Sequence, residues 1–208
     1  MVSSFRSSVD QWLVSVLPAD LYLRSARDGD TGYLSPQDLA LMRAVPGVAT
    51  IEALGTGSIT LDPLRPAVAL IVRPIDASDP GARLPLIGRA LPAPPGRVAV
   101  YVSEPAARIY GLQPGQTVTL ALGGQAVECF VAAVWRDYSR QFGAITLDTD
   151  DYRRFVPGAR PTDAAIWLAP GATAAAVTAG LAATSRYESP ATAAIDSASA
   201  RATHRPPP

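Results

Sequence analysis

Residues 116–135 contain two β-rich runs that flank the dipeptide Gly123-Gly124. Both glycines tolerate a positive φ, which the tight two-residue turn of a hairpin requires. The pattern therefore predicts a β-hairpin with its turn at this dipeptide. Other extended runs occupy residues 19–24, 48–61, 66–76, 97–102, 143–148 and 163–169, and the runs 48–61 and 66–76 are rich in β-branched residues.

Helical segments lie between these runs. Ser35-Pro36-Gln37-Asp38 is typical of a helix start, with a capping serine, a proline in the first turn and an acid near the positive end. Ser103 and Gly111 are predicted to cap and to end a second short helix. Segments 149–155 and 172–187 are also predicted to be helical. Strands outnumber helices and the two alternate, so we predict an α+β fold.

The first segment of the chain has the spacing of an amphipathic helix. Its apolar residues recur every three or four positions and so share one face. Pro18 is predicted to end this helix. The residues of the apolar face that we assign to a coupling role below are Phe5, Val9, Trp12, Leu13 and Val16.

Composition excludes several functions. The chain has 18 basic and 18 acidic residues, so its zero net charge gives no general attraction to nucleic acid. It contains no lysine, which excludes a standard Walker A site and Schiff-base chemistry. The single histidine, His204, lies beside three prolines, which argues against a histidine-based catalytic triad. Cys129, the one cysteine, is predicted to be a small buried residue of the hydrophobic core with no chemical role.

Membrane segments are not evident in these 208 residues. No run reaches the length of about 18 apolar residues that spans a bilayer, and the first residues lack the apolar core of a signal peptide. We also predict no cofactor and no metal ion.

Asp148, Asp150 and Asp151 cluster where a helix is predicted to start. Such oxygen ligands could bind a hard cation or serve a hydrolase, but helix capping is the favoured interpretation. Gly55-Thr56-Gly57 lacks the third glycine of a dinucleotide fingerprint and lies within a predicted strand. We interpret it as a bulge or sharp bend.

A loop that mixes arginine and aromatic residues follows the predicted hairpin. This composition is favoured at protein interfaces. The alternative is a hairpin end that carries one buried aromatic. The residues of this candidate partner interface are Trp135, Arg136, Tyr138, Arg140 and Phe142.

Three stretches resemble the extracytoplasmic domains of FtsX-like and MacB-like ABC-transporter permeases. The opening resembles the segment that follows a membrane helix in this family, with Ser4-Phe5-Arg6, Trp12-Leu13 and Ala19-Asp20-Leu21-Tyr22 as the matching residues. Residues 100–120 are similar to the signature of the MacB-like periplasmic core domain. Residues 134–155 resemble the subfamily associated with the YbbP permease.

The resemblance implies a function without catalysis in this chain. Such permeases lie in the bacterial inner membrane, pair with a separate cytoplasmic ATPase, usually work in a dimeric complex, and place this domain in the periplasm. Members export lipids or lipoproteins, drive efflux, or regulate a periplasmic protein. The first helix would continue a membrane helix and transmit its movement.

The resemblance also implies two lobes and a tail. A porter-like βαβ lobe would comprise residues 1–77 and 163–200, and a β-rich lobe of residues 78–162 would be inserted in it, with a disordered tail at 201–208. The alternatives to a transporter domain are a stand-alone soluble partner-binding module and, less favoured, a hydrolase that uses the aspartate cluster.

Overall fold

A computed structural model describes residues 19–25, 33–184 and 193–194 of the chain. The predicted coupling helix with Phe5, Val9, Trp12, Leu13 and Val16 lies outside the described residues, and so does the tail at 201–208. The chain divides into two compact units. Among the described residues, the first contains residues 54–160 and the second contains residues 19–25, 33–53, 161–184 and 193–194.

The first unit is built on a mixed sheet. Its strands are the part of β2 (Val48–Ile59) from Leu54 onward, β3 (Val68–Arg73), β4 (Leu86–Ile87), β5 (Val98–Ser103), β6 (Thr117–Leu122), β7 (Gln125–Trp135) and β8 (Ala144–Asp148). The strand order is β3-β8-β5-β7-β4, with β6 paired to β7 and the end of β2 paired to β3. β8 is parallel to β3 and antiparallel to β5, and β7 is parallel to β5.

Side chains from the two faces of this sheet enter two separate cores. The larger core includes Val100, Leu120, Cys129 and Leu147, and the helices α2 (Glu104–Tyr110) and α3 (Thr149–Phe155) add side chains to it. The opposite face is covered by the segment around Ile75 and Leu84. This arrangement follows from the alternation of side chains along each strand.

The predicted hairpin is confirmed. β6 and β7 are antiparallel, and Gly123 and Gly124 have φ angles of 59° and 78°. The bulge predicted at Gly55-Thr56-Gly57 is wrong, because these residues pair in unbroken register with Val72, Ile71 and Leu70. A glycine is favoured at position 55 because an added Cβ atom would lie 3.2 Å from the Cβ atom of Val72.

The second unit contains a smaller sheet and two helices. β1 (Leu21–Ser25) is antiparallel to both β9 (Asp163–Leu168) and β10 (Ala193–Ala194). Helix α1 (Pro36–Arg43) and helix α4 (Ala174–Thr184) pack with this sheet around a core that includes Leu34, Ile166 and Val177.

The predicted helix start at Ser35 is confirmed, and the structure adds a second hydrogen bond to the predicted cap. The Ser35 hydroxyl accepts from the Asp38 backbone N–H at 3.1 Å, and the Asp38 carboxylate accepts from the Ser35 N–H at 2.8 Å. Each side chain thus satisfies a backbone donor that the helix itself leaves unpaired. With strands and helices interleaved in both units, the α+β fold class is confirmed.

The two predicted lobe boundaries can be compared with the two positions at which the chain passes from one compact unit to the other. The second boundary, at residues 162–163, lies close to the observed change at Arg160–Pro161. The sequence predicts the first boundary at residues 77–78, and the first compact unit begins at Leu54. β3 is the reason, because it pairs with β8 and contributes Val68, Leu70 and Val72 to the larger core.

Candidate interaction site

Trp135, predicted at the interface, belongs to the core. It is 1% exposed, and its indole N–H donates to the backbone carbonyl of Tyr101 at 3.3 Å. Val100 pairs with Val131 and Tyr101 with Ala133, so Ala132 is an extra residue in β7. This bulge turns Trp135 toward the core on the face opposite Cys129. The alternative of one buried aromatic at the hairpin end therefore holds for Trp135.

Asp137 organises the loop that follows. Its carboxylate accepts from the Ser139 backbone N–H at 3.0 Å and from the Ser139 hydroxyl at 2.8 Å, both on Oδ1. Its Oδ2 accepts from the Arg140 guanidinium at 3.1 Å. The Asp137 side chain is fully buried, so this ion pair and these hydrogen bonds offset the cost of desolvating the carboxylate.

Sequence reasoning missed Asp137 as a functional position. A local signal was present, because an aspartate two residues before a serine is typical of a turn in which the side chain bonds the backbone. Its burial follows from the long-range position of the loop, which no local pattern indicates.

Three of the predicted residues remain on the surface of this loop. Tyr138 is 63% exposed and Phe142 is 44% exposed. Arg136 is also exposed, and its backbone N–H donates to the carbonyl of Pro85 at 3.0 Å. Arg140 is half-buried against Asp137. Four of the five predicted residues thus lie on one surface loop. The buried Asp137 carboxylate stabilises the conformation of this loop through its hydrogen bonds to Ser139 and Arg140.

Gly143 fixes the far end of the loop. Its carbonyl accepts from the Ala69 N–H and its own N–H donates to the Arg140 carbonyl, each at 3.0 Å. An added Cβ atom would lie 2.4 Å from both the Ala106 nitrogen and the Ser103 hydroxyl oxygen. Only glycine fits this site, because the backbone also has a φ of 76°.

Ser103, predicted to cap α2, has another role. Its side chain makes no capping hydrogen bond, and its hydroxyl oxygen accepts instead from the buried N–H of Ala144 at 2.7 Å. The predicted end of this helix is correct, because Gly111 has a left-handed φ of 67°. Ser103 therefore joins the end of β5 to the start of β8, next to Gly143.

The aspartate cluster is a helix cap, as favoured. The Asp148 carboxylate accepts from the Asp150 and Asp151 N–H groups at 2.7 and 3.3 Å, and from the Ile75 N–H at 2.9 Å. Asp150 and Asp151 form ion pairs with Arg153 and Arg154. The Asp148 carboxylate thus accepts hydrogen bonds from three backbone N–H groups, and the carboxylates of Asp150 and Asp151 pair with arginine side chains on the same helix.

The described residues also lack two other kinds of feature. Within them no group of three or more histidine, cysteine, aspartate or glutamate side chains is placed to hold a metal ion. No helix of this described part is long and apolar enough to cross a membrane.

Comparison with solved structures identifies the fold. The periplasmic region of MacB from Actinobacillus actinomycetemcomitans is similar to this chain, with a TM-score of 0.51 and 9% sequence identity, covering 82% of this chain and 84% of that region. The chain shares the fold of this MacB region. The extracellular domain of the ABC-type transporter YknZ from Gram-positive bacteria is also similar, with a TM-score of 0.48 and 14% identity, covering 77% of this chain and 87% of that domain. No protein-family model matches the chain, and no curated protein matches it in sequence.

Proposed function

We propose that this chain is the extracytoplasmic domain of an ABC-transporter permease of the FtsX/MacB-like class and has no catalytic role of its own. The observation that carries the proposal is the shared fold with the MacB periplasmic region over most of both chains. The resemblance of residues 100–120 to the signature of the MacB-like periplasmic core domain also supports the proposal. Ser103 bonds Ala144, and Gly111 ends α2 in a left-handed conformation.

In this proposal the domain lies in the periplasm and is attached to the bacterial inner membrane. A separate cytoplasmic ATPase drives the membrane segments, the complex is dimeric, and the domain moves with them. The segment with Phe5, Val9, Trp12, Leu13 and Val16 is the coupling helix. The movement serves export of a lipid or lipoprotein, efflux, or control of a periplasmic partner that binds the loop of Arg136, Tyr138, Arg140 and Phe142.

The test measures movement and needs no knowledge of the transported molecule. The full-length gene product, carrying Cys129→Ala and Tyr138→Cys, is purified with its co-purifying ATPase and reconstituted in proteoliposomes. We expect the rate at which a thiol reagent labels position 138 to differ by at least about twofold with and without ATP. A Gly-Gly insertion after Leu17 should remove this difference by uncoupling the helix from the domain.

Two controls make the result interpretable. The inserted variant must retain the thermal unfolding midpoint of the domain, and a Gly-Gly insertion in the exposed loop after Pro157 should leave the ATP effect intact. Absence of a co-purifying ATPase, or equal labelling with and without ATP in the uninserted protein, would contradict the proposed function.

A further inference from the structure

One face of the sheet in the first unit is covered by residues 76–96, which we call the strap. Both ends of the strap are anchored. Just before it the Ile75 N–H donates to the Asp148 carboxylate at 2.9 Å, and just after it the Arg97 guanidinium pairs with the Glu128 carboxylate. The strap is therefore a loop of 21 residues between two fixed points.

The strap buries little of its own surface. Only Pro80 and Leu84 of its 21 residues are buried, and its regular structure consists of one 3₁₀ turn (Pro80–Ala82) and the two residues of β4. Five of the 21 residues are prolines, which have no N–H to donate. Segments with so few buried contacts and so little regular hydrogen bonding are the first to open in folded proteins.

The sheet face under the strap consists largely of small side chains. Leu84 of the strap packs in one core with Tyr101 and Trp135. The remaining buried strand residues of this core are alanines, namely Ala132, Ala133 and Ala144. The larger core on the opposite face consists mostly of valine, leucine and isoleucine. An alanine side chain has little apolar area to uncover, so release of the strap costs far less free energy than disruption of the larger core.

The middle of the strap is held by one strand, β7. The Leu91 N–H donates to the Ala132 carbonyl at 2.8 Å, and the Arg136 N–H, just after β7, donates to the Pro85 carbonyl at 3.0 Å. The two residues of β4 pair with the end of β7. β7 also pairs with β5 and β6, and neither of these pairings involves the strap. The contacts between strap and β7 can therefore be released together, with the larger core left intact.

Two effects decide whether the strap opens before the rest of the unit. The entropy of the released chain favours opening, although the five prolines reduce that gain, and the lost contacts oppose it. Because only two of the 21 residues are buried, the lost contacts are few.

We propose that the strap opens from the sheet as one unit while the rest of the first unit stays folded. Opening uncovers Trp135 and Tyr101, which are 1% and 3% exposed when the strap is closed, so the strap is a movable cover over an apolar face. This inference goes beyond the proposed function and does not depend on it.

Amide hydrogen exchange of the purified 208-residue chain, followed by NMR, tests the proposal. The Leu91 and Arg136 N–H groups each form a hydrogen bond between the strap and β7 or its end, so they report release of the strap. We expect both to share one protection factor, at least about 100-fold below that of the most protected amides of β5 and β8. Urea at low concentration should lower the protection of the β5 and β8 amides more steeply, because global unfolding exposes more surface.

Two matched truncations distinguish release of the strap from global unfolding. Leu84→Ala removes the buried leucine of the strap and should lower the protection of Leu91 and Arg136 at least about tenfold. Leu120→Ala removes a leucine from the larger core on the opposite face. It should lower the urea midpoint but change the protection of those two amides by less than about twofold, because the open form keeps the larger core and is destabilised as much as the closed form.

Three results would overturn the proposal. They are protection of Leu91 and Arg136 equal to that of the most protected β5 and β8 amides, clearly different protection factors for Leu91 and Arg136, and a loss of protection in Leu120→Ala as large at these two amides as in β5. If either variant does not fold, the urea dependence of the wild-type amides decides. A dependence at Leu91 and Arg136 as steep as that in β5 would mean that the strap is released only by global unfolding.

Discussion

Gly143 shows at the scale of one residue how closely the interaction loop is joined to the core. It combines a left-handed backbone with contact to two elements, β5 and α2. The Ser103 hydroxyl and the Ala106 nitrogen occupy the space that any side chain would need. The position of Phe142, its neighbour in the chain, depends on this close approach.

We expect Gly143→Ala to lower the free energy of unfolding by at least about 2 kcal/mol, because it adds backbone strain to a clash with main-chain atoms. Gly57→Ala is the matched control. It adds the same methyl group to a strand glycine that has open space around it, and should change stability by less than about 1 kcal/mol. Urea unfolding of the purified domain measures both values, and similar values for the two would contradict the assigned contacts.

Cys129 is the second residue with a distinctive environment. It is fully buried in the larger core, and burial raises the pKa of its thiol to about 11, from 9.0. The unfolded chain therefore loses this proton first as the pH rises. The folded state binds more protons between these two values, so stability must fall with rising pH in that window.

The measurement compares the wild-type protein with Cys129→Ala from pH 8 to pH 11. The difference between their unfolding free energies should shift by about 2–3 kcal/mol against the wild type between pH 9 and pH 11, and should be flat below pH 9. The comparison cancels the titration of Tyr101 and Tyr152, whose pKa values burial also raises. If the unfolding free energies of the two proteins changed in parallel with pH, the thiol would be accessible to water in the folded state.

At the scale of the secondary-structure element, Ser35 and Ser103 each precede a helix but have different structural roles. Ser35 caps α1 within a capping box, whereas Ser103 leaves α2 uncapped and bonds Ala144 across to β8. The local sequences are alike, each with a proline soon after the serine. The difference arises from strand pairing over 41 residues.

Replacement by alanine and by aspartate should separate the two roles. Ser35→Ala should cost about 1 kcal/mol, and Ser35→Asp should restore stability because aspartate is also a good cap. Ser103→Ala should cost about 1–3 kcal/mol by leaving a buried N–H unsatisfied, and Ser103→Asp should cost more because it buries a charge. Thermal and urea unfolding provide the comparison. Rescue by aspartate at both positions would mean that Ser103 is a helix cap after all.

These elements show what local sequence could predict. The hairpin at Gly123-Gly124, the helix cap at Ser35 and the end of α2 at Gly111 depend on neighbours in the chain, and these three predictions are confirmed. The role of Ser103 depends on distant strand pairing, and the burial of Trp135 follows the bulge at Ala132. Neither has a local signal. The burial of Asp137 likewise depends on long-range packing, although the turn that it forms with Ser139 had a local signal.

At the scale of the whole molecule, the division of the chain decides which segment can fold alone. Residues 54–160 contain β3, which pairs with β8 over five residues and adds three valine and leucine side chains to the larger core. The segment predicted from sequence, residues 78–162, lacks β3. It would expose one edge of β8 and remove part of the core that β5 and β8 share.

We therefore expect fragment 54–160 to fold cooperatively and fragment 78–162 to remain largely unfolded. Trp135 is the single tryptophan in each fragment, so its fluorescence reports burial without further labelling. In fragment 54–160 its emission should be blue-shifted and should move to the red in one urea transition, because the ring is buried beside Tyr101. In fragment 78–162 the emission should be red-shifted already in water.

A cooperative transition in the shorter fragment would support the boundary predicted at residues 77–78, since β3 would then be dispensable. Failure of the longer fragment to fold would show instead that its sheet needs the rest of the chain, because its own two cores would have proved insufficient to offset the conformational entropy of ordering it.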